Sequence, residues 1–172
     1  KRVLAAVDLD PSDPHAAEHD LNREVLVLAA SLALSDFASL HVVHAWEAFA
    51  ERMLGSRGGV SQQSVADYVE REKTRHRDEL YRLAEELRAW IGKDAYDYLS
   101  PGFHLPKGSA KNVIAPLASE LRAELVVMGT VARTGISGLF IGNTAEAILD
   151  QLTCSVLAIK PPGFKTPVKL DE

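Results

Sequence analysis

Apolar and polar positions along the chain alternate between two periods. Arg2–Leu9 (RVLAAVDL) is a short, nearly unbroken apolar run ending in an acidic turn, the pattern of a central strand covered on both faces. Asp13 and Pro14 then suit the cap and first position of a helix. Apolar residues at Ala17, Leu21, Val25, Leu28 and Leu32 carry that helix to about Ala33. Leu40–Ala45 (LHVVHA) reads as a second strand. Trp46–Gln63 is irregular and bears Gly55, Gly58 and Gly59, which suits a loop. Ser64–Trp90 is predicted as a long amphipathic helix with Val65, Val69, Leu80, Leu83 and Leu87 inward, stopped by Gly92. Its charged run, Glu70-Arg71-Glu72-Lys73 and onward, mixes both signs and reads as a solvated face. Tyr96–Leu105, interrupted at Pro101-Gly102, is predicted to hold a third strand.

Ser109 caps a predicted helix to about Arg122, with Val113, Ile114 and Leu117 inward and Pro116 as a kink site. Glu124–Gly129 is a fourth strand, Thr130–Ile141 a Gly-rich loop, Asn143–Leu152 a helix burying Ala145, Ile148 and Leu149, and Ser155–Ile159 a fifth strand. Strands separated by helices imply a five-stranded parallel α/β sheet with helices on both faces and right-handed crossovers. Such Rossmann-like sheets bind ligands outside the carboxyl ends of their strands, where strand order reverses. Asp8, after strand one, and Gly129, after strand four, occupy those ends.

Composition narrows the function classes. The chain has 172 residues, enough for one domain with a real core. A net charge of −5 gives no general affinity for nucleic acid, and the apolar runs are too short to span a membrane as helices. The lone Cys154 excludes an internal disulfide, fits a cytoplasmic location, and reads as a small core residue.

The segment richest in chemistry is Gly129–Thr144. It leaves a strand, makes a glycine-bearing loop, and enters a helix at Gly142-Asn143-Thr144. Free amides at a helix start, glycines that let backbone approach a ligand, and the Arg133 guanidinium together suit a phosphate cradle. The same residues also suit an ordinary βα loop with an Asn cap, and chemistry alone leaves both open. No G-x-x-x-x-G-K-[ST] and no G-x-G-x-x-G after strand one is present, so neither a P-loop nor a standard dinucleotide site is expected. No G-x-S-x-G elbow identifies a nucleophile, and Ser137 has no evident base. His15 and His19 share a helical face, but read as exposed polar residues rather than metal ligands. His41 and His44 face opposite sides of their strand, and His104 is expected near a strand edge.

The element order, Ala6-Val7-Asp8, Val126-Val127-Met128-Gly129 and Gly142-Asn143-Thr144-Ala145-Glu146 resemble the universal stress protein family over residues 2 to 160. ATP-binding members carry Gly, two residues, Gly, nine residues, then Gly and Ser or Thr. Here the spacing is kept as Gly129, Ala132, Gly142 and Asn143, with Ala and Asn as departures. Thr130–Ser137, His104–Gly108 and the Lys165–Val168 tail most resemble the second half of the tandem universal stress protein E group.

The resemblance implies a fold of the adenine nucleotide alpha hydrolase-like type over 1–160, with 161–172 as a tail. It implies the C-terminal half of a two-domain chain, which fits the absent initiating Met. It also implies a sensor or regulator rather than a dedicated enzyme, with at most slow ATP hydrolysis or autophosphorylation. ATP or a related adenine nucleotide would be the ligand, accompanied by Mg. Asp8 and Ala45 would flank adenine through main-chain groups, Gly129 would meet the ribose, and Ala132, Arg133, Gly142, Asn143 and Thr144 would surround the phosphates. The departures, with apolar Leu139-Phe140-Ile141, keep open a nucleotide-sugar or lipid-linked metabolite. A third reading is an interaction domain that pairs Ser155–Ile159 with a tandem partner or a second copy.

Overall fold

The computed structural model describes residues 1–11, 18–56, 61–130 and 141–160. Five parallel strands form one sheet: β1 (Arg2–Val7), β2 (Ser39–His44), β3 (Gly102–His104), β4 (Leu125–Gly129) and β5 (Ser155–Ile159), in the order β3-β2-β1-β4-β5. The chain winds one way from β1 through β2 to β3, then restarts on the other side of β1. The reversal therefore lies between β1 and β4, where Ala5 is level with both Val42 and Val127.

Strand parity sorts the core into two layers. Val3, Ala5, Val7, Leu40 and Val42 face one side, while Leu4, Ala6 and Val43 face the other. The first face is covered by α1 (Glu18–Ser35) and by α3 (Gln62–Ile91) through Leu80, Leu83 and Leu87. The second is covered by α5 (Ala110–Glu120) and α6 (Asn143–Leu149) through Ile114, Ala118, Ala145 and Ile148. Burying a side chain such as Leu83 stabilises by about 1.5–3 kcal/mol before entropy is counted.

Helix α1 turns a different stripe inward from the one its periodicity suggests. Val25, Leu26, Ala29, Ala30 and Ala33 are buried, whereas Leu28 and Leu32 stand exposed. Three alanines let the helix sit close on the sheet, and the larger leucines are turned outward. The expected cap at Asp13-Pro14 lies outside the described residues.

Two elements were absent from the sequence reading. A short helix α2 (Glu51–Ser56) occupies part of the irregular stretch, and α4 (Lys93–Leu99) replaces the first half of the expected third strand. Tyr96 and Tyr98 mimic strand alternation. Instead Lys93 pairs with Asp97 one turn on at 2.6 Å, Arg88 lies over the Tyr96 ring, and Leu99 is buried. Gly92 (φ 85°) breaks α3 from α4, and left-handed Ser100 ends α4 before Pro101. Only Gly102–His104 remains as strand.

Helix starts also differ in detail. Ser61 caps α3, its Oγ accepting from the Ser64 amide at 3.1 Å. Ser109 occupies the cap position of α5 but makes no side-chain cap bond, and Gly142, not Asn143, caps α6. The helix expected to reach Leu152 ends at Leu149. Pro116 lies inside α5, which runs from Ala110 to Glu120. Cys154 is half-buried against the second core layer, and burial pushes its thiol pKa up, away from reactive thiolate.

Candidate functional site

A cleft of about 740 Å³ opens at the carboxyl ends of β1 and β2, beside the strand-order reversal. Its size suits a nucleotide-sized ligand. The turn after β1 supplies Asp8, Leu9 and Asp10, and the chain after β2 supplies His44, Ala45 and Trp46. Helix α3 contributes Glu72, Arg75 and His76, the start of α5 contributes Gly108 to Lys111, and α6 contributes Thr144.

The β1 wall is held by a residue the sequence reading passed over. Buried Asn22 on α1 accepts from the Asp8 amide at 3.1 Å and donates to the Asp8 carbonyl at 2.6 Å. The Asp8 main chain is thus tied to α1, while its side chain lies at the cleft wall. Main-chain contact with a ligand, expected at Asp8, competes with this pair of bonds.

The β2 wall is a clamp between residues 46 and 108. The Trp46 amide donates to the Pro106 carbonyl at 3.1 Å, and the Gly108 amide donates to the Trp46 carbonyl at 2.8 Å. Lys107 lies over the Trp46 ring and pairs with Glu51 at 2.7 Å, fastening α2 to the same rim. Gly108 has φ 139°, and a Cβ there would come within 2.8 Å of Val113 Cγ1. Glycine is therefore required on both counts.

Helix α3 crosses the end of β2 and brings two histidines together. His44 is 1% exposed, and its Nε2 lies 2.8 Å from His76 Nδ1. One imidazole donates and the other accepts, so the bond is lost if both become protonated. The His76 ring is also 5.9 Å from that of Trp46. Burial holds the His76 pKa below the ordinary value of 6.5 and Arg75 lowers it further, against Glu72, Asp10 and Asp8. His41, three residues earlier, faces the opposite side as expected and meets His104 at 3.1 Å.

Electrostatically the cleft is two-ended. Carboxylates of Asp8, Asp10 and Glu72 gather near the β1 and α3 walls, with Arg75 bonded to Glu72 at 3.2 Å. Lys111 and the start of α5 line the other end with Thr144, the Asn112 amide being taken by the Ser109 carbonyl at 2.8 Å. The first end can accept hydrogen bonds from hydroxyl or amino groups; the second can take negative charge. The charged run on α3 is only partly a solvated face, since Glu72 and Arg75 turn to the cleft.

Of the residues singled out from sequence, Asp8, Ala45 and Thr144 line this one cleft. Gly129, Gly142 and Asn143 sit next to it, at the end of β4 and the start of α6, without lining it. A Cβ on Gly129 would meet Leu21 Cδ2 at 2.6 Å, so that glycine lets α1 pack against β4. The Gly142 amide donates to the Thr130 carbonyl at 2.8 Å, joining the two ends of the Gly-rich loop. Ala132 and Arg133 lie outside the described residues, as does the tail from 161. Asn22, His44, Trp46 and His76 were not read as site residues. No local motif marks them, because they converge only once α1 and α3 pack on the sheet. Among the described residues, no group of three or more His, Cys, Asp or Glu side chains is arranged to hold a metal ion, and no helix is long and apolar enough to cross a membrane.

Comparison with known proteins agrees with this architecture. The family model described as "Universal stress protein family" matches residues 1–160. Universal stress protein E of Escherichia coli (strain K12) is 54% identical over 69 residues, which are 40% of this chain and 22% of that protein. A functionally unknown protein from Pseudomonas aeruginosa PAO1 shares the fold with TM-score 0.65 and 30% identity over 93% of this chain, which spans only 47% of that longer one. A universal stress protein crystallised in complex with cAMP superposes with TM-score 0.53 at 17% identity, covering 93% of this chain and 97% of its own. With its parallel sheet, its strand-order reversal and a family match over nearly the whole length, the chain belongs to the universal stress protein family.

Proposed function

We propose that this domain is a stress-response module that binds an adenine nucleotide, ATP or a relative of it, in the cleft at the ends of β1 and β2. The observation that carries the reading is the convergence of Asp8, Ala45 and Thr144 on one cleft beside the strand-order reversal. Its acidic end suits ribose hydroxyls and a base amino group. Lys111, Thr144 and the start of α5 suit phosphates, with Gly142 at the cap of α6 beside them, and Mg accompanies the phosphates. One fold relative is described in complex with cAMP, itself an adenine nucleotide. The role is sensing or regulation in the cytoplasm, and no residue is assigned to catalysis. The Pseudomonas aeruginosa PAO1 relative is about twice as long as this chain, which supports a tandem partner domain, with β5 as the edge that meets it or a second copy.

A second reading keeps the cleft and changes the ligand to a nucleotide-sugar or lipid-linked metabolite. Asn143, where ATP-binding members carry Ser or Thr, favours it. One experiment separates the two. Purified protein is denatured, the released small molecules are identified by mass spectrometry, and ATP is titrated into the emptied protein. Retained adenine nucleotide, or micromolar ATP affinity lost on Ala45→Trp, supports the first reading. A different retained molecule supports the second. An empty cleft with no ATP binding at millimolar concentration overturns the first.

A further inference from the structure

We infer that His76, oriented by buried His44, contacts the nucleotide directly and makes its binding proton-linked. The inference rests on the nucleotide reading and adds a residue that determines how tightly, and at what pH, the ligand is held.

His44 projects from the last position of β2 and is enclosed by the protein, so its ring cannot meet a ligand broadly. Its Nε2 is spent on His76 Nδ1 at 2.8 Å. This bond, with Trp46 beside it, fixes the plane of the His76 ring and leaves Nε2 as the remaining polar atom of a side chain that lines the cleft. An imidazole bonded through Nδ1 presents Nε2 as a donor or an acceptor, according to which partner carries the shared proton. Once His76 is protonated, His44 must accept and His76 Nε2 is a charged donor. A neutral acceptor is served by either Nε2–H form, but a negatively charged one, such as a phosphate oxygen, favours that charged donor.

Charged groups surround the His76 ring. Glu72 and Arg75 face His76 from its own helix, Asp8 and Asp10 from the turn after β1, and His44 from β2. Lys107 lies across the Trp46 ring. Without ligand, burial lowers the imidazole pKa from its ordinary value of 6.5. A bound acceptor or anion raises the pKa, so affinity climbs as pH falls through the bound-state value and levels off below the free-state value. Each unit of separation between the two gives about a tenfold change in affinity.

The test is calorimetric titration of ATP into the emptied full chain between pH 5.5 and 8.5, in buffers of different ionisation enthalpy, for wild type, His76→Gln and His104→Gln. Ionisation of the ATP phosphates is common to all three proteins and cancels in the comparison. Wild type and His104→Gln should bind about three- to tenfold more tightly at pH 5.5 than at 7.5, with net proton uptake beyond that of His76→Gln. His76→Gln, which keeps a neutral donor, should bind ATP at pH 7.5 within a few-fold of wild type and lose the extra slope. ATP binding with the same pH profile in wild type and His76→Gln overturns the inference and leaves the nucleotide reading standing. No ATP binding at any pH overturns the nucleotide reading, and this inference with it.

Discussion

Replacing Gly108 with alanine tests the clamp that forms the β2 wall. Two costs follow from the geometry. A residue with a Cβ held at φ 139° occupies a region reserved for glycine, a strain of about 1–3 kcal/mol. The new methyl also lies 2.8 Å from Val113 Cγ1, and such overpacking adds about 1–3 kcal/mol. The sum, about 2–6 kcal/mol, is a large fraction of the 5–15 kcal/mol typical of a domain. Two further variants separate the terms. Gly92 has φ 85° with open space around it, so Gly92→Ala measures strain with no clash. Val113→Ala removes the clashing methyl, so Gly108→Ala should cost at least about 1 kcal/mol less in that background. Urea denaturation followed by circular dichroism gives each value, provided m stays constant. A Gly108→Ala midpoint equal to wild type would refute the backbone argument. An equal loss in both Val113 backgrounds would refute the contact.

Other expectations follow from the same structure. Asn22→Ala removes both side-chain bonds to the Asp8 main chain, which should cost about 1–3 kcal/mol in a denaturation series and shift the Asp8 amide resonance; an unshifted resonance counts against the tether. His41, His104 and His76 all have pKa values lowered by burial, so the unfolded chain binds more protons near and below pH 6.5. Their contribution is complete above that value and is lost as pH falls through it, so the urea midpoint should drop between pH 7.5 and 5.5. His104→Gln should flatten the slope, and an unchanged slope would exclude the His41–His104 pair as a cause. Gly102→Ala places a methyl 2.9 Å from His41 Nδ1, so it should break that pair and destabilise by about 1–3 kcal/mol in the same assay.

The parallel sheet was legible because buried strands such as Val3–Val7 and Leu125–Gly129 are unbroken apolar runs whose period differs from that of the helices between them. The ends of strands one and two were legible for the same reason, and with them Asp8 and Ala45. The misreadings came where local pattern and packing disagree. Tyr96 and Tyr98 alternate like a strand, yet the i,i+4 ion pair of Lys93 with Asp97 suits a helical turn, and Arg88 reaches Asp97 from the end of α3. Leu28 and Leu32 fit a helical stripe, yet the sheet selects the alanine face of α1. His76 sits in a run of charge that looks solvated. Its role depends on α3 crossing the end of β2, a contact between residues 32 positions apart that no local window contains.

The most direct test of the nucleotide reading is a titration of ATP into uniformly ¹⁵N-labelled, ligand-free protein, followed by amide resonances. Saturable shifts are expected at residues 8–10, 44–47, 108–111 and 142–144, with β3 and the far ends of α3 and α5 unmoved. Saturable shifts elsewhere, or none at millimolar ATP, would contradict that reading.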